Sequence, residues 1–243
     1  MIFVVSGEGT SDMGACTNPM GQCSGVDFLP GPMAVIVDKL VEREINYSLL
    51  DSGAMEFISE GTLAELSRRL PMALSAGKKR DYETAYHFKG ARALARQAAN
   101  RKAEETPPVE FGVVFFRDTD LARFETIWVS INDGFNAEGF EYGVPMVPKP
   151  KSEAWLICAL KSNPYEHCPG LEESLSGNDN TPNSAKDQQE ELLEARGKDV
   201  RDLSQMVMDG EIDPGRIDMP SFNRFRDRLI EVTRAMSGRQ TSS

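Results

Sequence analysis

Two carboxylates one residue apart, Asp118 and Asp120, end the apolar run in "VVFFRDTD". A third acid, Glu8, follows the apolar opening "MIFVVS", while Lys149, Lys151 and Glu153 follow "YGVPMVP". If each run is a strand of one parallel sheet, these groups collect outside the carboxyl ends of the strands, where open α/β folds bind ligands. Carboxylates crowded within several ångströms repel at reduced dielectric and take up protons unless a cation joins them. Oxygen donors with no His or Cys nearby suit Mg²⁺ or Mn²⁺, which keep positions open for water and phosphate oxygens. Glu8, Asp118 and Asp120 therefore read as a metal site on rigid strand ends.

Other readings of the same residues stay open. One Asp of "DTD" would suffice to cap a following helix. A DxD after an apolar strand also suits metal-dependent glycosyltransferases, although that chemistry leaves Glu8 without a role. "GEGTSD" begins like a dinucleotide fingerprint but carries Asp12 at the third glycine position, and no GxxxxGK[ST] occurs. "DTDLA" lacks the Thr or Val that aspartate-nucleophile phosphatases place at Ala122.

The elements that must position these acids follow from periodicity. Residues 1–6 and 109–117 predict buried strands, the second apolar on both faces and so central. A further strand falls within 47–58, and a shorter one in "YGVPMVPKP". Met33, Ile36, Val37, Leu40, Val41 and Ile45 form a helical stripe. Residues 61–70 and 82–102 also predict helices, the first stopped by Pro71. Leu121, Phe124, Trp128, Ile131 and Phe135 share one helical face, so a helix follows the acids, and Ser152 stands as the cap of "SEAWLICAL". Residues 15–32, rich in Gly, Pro, Ser and Asn, read as a long loop. Strand–helix alternation implies an α/β fold with a parallel sheet. Residues 1–163 form that domain. Residues 164–243 read as a helical extension on the same core, with helices near 184–195, 200–208 and 221–236.

The chain has 243 residues, and no apolar run spans a bilayer or forms a signal-peptide core, so a soluble cytoplasmic protein is expected. Cys16, Cys23, Cys158 and Cys168 fall in no CxxC pair and read as free thiols. Net charge is −11, yet 68–102 holds ten Lys or Arg against Asp81 and Glu83, a segment of +8 on a body of −19. That asymmetry suits a polyanion guided to one face, or a solvated helix surface. His87 reads as structural and Trp155 as core, a base-stacking platform being the other reading for Trp155.

The order "SGEGTSD", "FFRDTD", "SEAWL", with the later "PNSAK" and "SFNRFRDRL", resembles the TOPRIM domain of topoisomerases, primases and overcoming-lysogenization-defect nucleases. It is more closely similar to a group of small bacterial TOPRIM-like proteins. The resemblance implies a Rossmann-like central parallel sheet flanked by helices. It also implies Mg²⁺ (or Mn²⁺) on Glu8, Asp118 and Asp120, Glu153 as an extra ligand, and Asp12 behind them. The activity it implies is phosphodiester hydrolysis in DNA or RNA, with Lys149 or Lys151 stabilising the phosphate in the transition state. An ATPase partner, anti-phage defence and a homodimer belong to the same expectation. A silent TOPRIM-like binding subunit is the alternative.

Overall fold

The apolar opening folds into β1 (Ile2–Gly7), the central strand of the sheet. It runs parallel to β5 (Met55–Ile58) on one side and to β6 (Phe111–Phe116) on the other. β6 is buried along its whole length, as a strand apolar on both faces must be, and β7 (Gly143–Met146) extends the parallel set beyond it. β3 (Gln22–Ser24) adds an antiparallel edge to β5, for a strand order β3-β5-β1-β6-β7. The computed structural model describes residues 1–71, 82–119 and 124–240.

The segment 15–32 is not a plain loop. β2 (Gly14–Cys16) pairs antiparallel with β4 (Phe28–Pro30), and β3 lies between them in sequence. A Cys16–Cys23 disulfide closes this segment, and Cys158–Cys168 ties the end of a later helix to the turn after it. The expectation of free thiols is thus corrected. Separations of 7 and 10 residues carry no sequence signature, and only chain reversal brings the Cα atoms within 5.7 and 5.3 Å.

Helices cover both faces. On one, α1 (Pro32–Ile45), α5 (Ser152–Leu160), α7 (Ala185–Glu194), α8 (Leu203–Met208) and α9 (Pro220–Gln240) share a core with Phe3, Val5 and Phe116. On the other, α2 (Glu60–Arg69), α3 (Tyr82–Glu104) and α4 (Phe124–Ala137) pack on Val4, Val113 and Phe115. Alternation along β1 assigns Phe3 and Val5 to one core and Val4 to the other, as a two-sided strand requires. The short α6 (Leu171–Ser174) leads into the C-terminal helices, whose buried residues belong to the first core.

Trp155 sits inside that core, stacked on Phe225 at 5.7 Å and edge-on to Phe222 at 5.0 Å, and its indole N–H donates to Ser221. It is a packing residue, inaccessible to a nucleobase. His87 is likewise buried, on α3.

Candidate functional site

From β1 the chain crosses to β5 on one side and later to β6 on the other, so the strand order reverses between β1 and β6. A crevice opens at such a switch point, at the carboxyl ends of the strands. Glu8 leaves β1 there and Asp118 lies two residues beyond β6. Glu8 Oε1 accepts the Asp118 backbone N–H at 2.5 Å, joining residues 110 apart in sequence. The turn after β1 is tight because Gly9 adopts φ +76°, and a Cβ there would lie 2.4 Å from the Asp12 carboxylate.

α5 supplies the third side of the crevice. The expected capping role of Ser152 is corrected: Lys151 is the cap residue and Ser152 is the first helical residue. Its groups turn to the acids instead, with Ser152 N donating to Asp118 Oδ1 at 3.0 Å and Ser152 Oγ to Asp12 Oδ1 at 2.5 Å. A helix N-terminus aimed at a carboxylate is favourable in itself. The β7–α5 connection is tied down by Thr119 N donating to Pro150 O and Arg117 N to Met146 O.

Four carboxylates therefore converge. Burial pushes Asp118 well above the usual carboxylate range, reinforced by the charges of Asp12, Glu153 and Glu8. Burial likewise raises Asp12, against hydrogen bonds from Ser152 and Ser11, and raises Glu153, with Asp12 adding to the effect. Glu8 is raised by burial too, partly offset by Arg117 and the Asp118 amide. Asp120 lies outside the described residues, as do Leu121 and the cations Lys78, Lys79 and Arg80. Among the described residues, no three His, Cys, Asp or Glu side chains stand in a ready-made ligating arrangement. The donors are oxygen throughout, the kind a hard cation takes, with Arg117 beside Glu8 and Lys151 beside Asp12 and Glu153 offsetting part of the charge.

Arg117 stands outside the sequence pattern of acids, although a lone cation ending an apolar strand is a visible signal. Its side chain is 2% exposed. It donates to Glu60 Oε1 at 2.8 Å, to Tyr86 at 3.1 Å and to Glu8 Oε2 at 3.4 Å, lying over the rings of Tyr86 and Phe115. Burial acts to raise Glu60, but hydrogen bonds from Arg117 and Tyr86 outweigh it and leave that carboxyl below its ordinary value. Through this network α2 and α3 hold the Glu8 side chain.

The two expected phosphate lysines reach toward the C-terminal segment. Lys149 pairs with Glu173 at 3.3 Å and Lys151 with Asp179 at 2.7 Å, while Lys151 keeps electrostatic contact with Asp118 and Glu153. The expected basic face of α3 is largely neutralised: Arg92 pairs with Glu138, Arg101 with Glu56 and Glu105, and Lys102 with Glu110.

Fold and crevice define an α/β protein with a mostly parallel, helix-flanked sheet and an acidic switch point. No family model, curated protein or solved structure matches this chain.

Proposed function

We propose that the protein is a metal-dependent nuclease of TOPRIM type, hydrolysing phosphodiester bonds in DNA or RNA. The observation that carries this reading is the convergence of Glu8, Asp12, Asp118 and Glu153 at the β1/β6 switch point, with the carboxyls of all four raised. Glu8, Asp118 and Asp120, with Glu153, would hold Mg²⁺ or Mn²⁺. When bound, such a cation supplies Lewis acidity toward a phosphate oxygen and a lowered water pKa. The chain's own residues do the positioning. Arg117 orients one oxygen of Glu8 while the Asp118 amide holds the other, and the Ser152 amide fixes Asp118. Lys151, in an ion pair with an exposed carboxylate, can turn to a phosphate at little cost.

A silent binding subunit is the second reading, favoured by the ion pairs that occupy Lys149 and Lys151, the two expected phosphate cations. An ATPase partner and a role in anti-phage defence come with the TOPRIM reading, as does a cytoplasmic location. The two disulfides pull against that last point, because reducing compartments keep thiols unpaired. The deciding experiment incubates the purified chain with plasmid, single-stranded DNA and tRNA in Mg²⁺, Mn²⁺ or EDTA. Cation-dependent cleavage lost in Asp118→Ala is expected; no cleavage of any substrate in either cation overturns the nuclease reading.

A further inference from the structure

Beside the acidic crevice, between the start of α4 and the start of α9, lies a pocket of about 410 Å³ lined by Phe124, Lys149, Ser221 and Arg224, with Glu125 and Glu172. It flanks the site through sequence-near residues: Lys149 is three residues before Ser152, and Phe124 opens the helix that follows the acids. Arg224 lies over the Trp128 indole at 4.2 Å and over Phe124 at 5.6 Å, and the two rings are 6.0 Å apart. The pocket thus combines an aromatic face, a seated guanidinium and a second cation.

The charges here differ in kind from those on α3. The partner of Arg224 is Glu125, 69% exposed, and that of Lys149 is Glu173, 80% exposed. Exposed pairs contribute little and exchange readily, so a phosphate can replace either carboxylate. Glu172, the buried acid of the pocket, already accepts from the amide and hydroxyl of Ser221.

We propose that this pocket holds one nucleotide of a single-stranded nucleic acid, its base on the Phe124 ring and its phosphate on Arg224, next to the scissile bond. The proposal rests on the phosphodiester reading and narrows its substrate class. A ring face and a guanidinium select an unstacked base, which a duplex does not offer.

The test is binding in EDTA, where no cleavage occurs. A 12-nucleotide single strand, the matching duplex and inorganic phosphate are titrated while tryptophan fluorescence and a labelled strand's anisotropy are followed. Trp128 lies under Arg224 and Trp155 is fully buried, so strand binding should change the Trp128 signal. Arg224→Ala and Phe124→Leu, the second keeping an apolar side chain but removing the ring face, should each weaken the single strand about tenfold. Arg234→Ala, which removes the same charge from the far part of α9, should leave binding unchanged. Equal affinity for duplex, a response to phosphate alone, or wild-type affinity in either pocket variant overturns the proposal. Pocket-dependent binding by a chain that never cleaves would sink the nuclease reading and leave the pocket standing. Cleavage with unaltered Arg224→Ala binding would do the reverse.

Discussion

Asp38 and the Asp118 crevice both bury carboxyls and both raise them, yet they are opposite kinds of site. Asp38, on α1 and 2% exposed, accepts from Leu49 N at 2.6 Å, Leu50 N at 3.0 Å and Ser48 Oγ at 3.1 Å, so burial is answered by three donors. Asp118 accepts from Ser152 N, and three further acids press on it. A buried acid that organises a turn is matched to its donors. Under the proposed chemistry, the pressure of Asp12, Glu153 and Glu8 on Asp118 is what a bound cation would relieve.

That contrast can be broken by measurement. The largest effect expected is on cleavage: Asp118→Ala or Asp120→Ala should lower the rate about a thousandfold, the equivalent of several kcal/mol of charge stabilisation, read by single-turnover assays. Next, Asp38→Ala should cost about 3 kcal/mol in urea unfolding, since two amides lose their acceptor, with cleavage by the remaining folded protein unchanged. Mg²⁺ at about a hundred times its Kd should add about 2.7 kcal/mol to the wild-type chain and nothing to Asp118→Ala. Smallest is Asp118→Asn in EDTA. A carboxyl raised in the folded state contributes stability that is fully present below its unfolded pKa and lost as pH rises through the folded one. The Asn variant should therefore be more stable than wild type at pH 8, by less than the Asp38→Ala loss, with the gain vanishing near pH 4. A loss of stability at pH 8 would make Asp118 a structural acid like Asp38.

Much of the fold was legible in the chain. The apolar runs 1–6 and 109–117 became β1 and β6, and the helical stripe from Met33 to Ile45 became α1. These patterns are local, with periods of 2 and 3.6 residues, and burial on both faces of β6 followed from its lack of polar positions. The meeting of Glu8 with Asp118 was also legible, because parallel neighbouring strands must deliver their carboxyl ends to one edge. Illegible were the strands hidden in 15–32, each only three residues long and too short for a period to register. The basic look of α3 misled for another reason: Glu56 and Glu138, which neutralise Arg101 and Arg92, lie 45 and 46 residues away in sequence.

By itself, then, the order of residues determined which segments are strands, which are helices, and that acids stand at strand ends, since these depend on neighbours along the chain. Only the tertiary structure decided that Ser152 serves Asp118 and Asp12 rather than its own helix, that Arg117 braces Glu8 through Glu60 and Tyr86, and which cysteines pair. Those outcomes turn on which distant groups packing brings within hydrogen-bond reach, and on how much water is left between them.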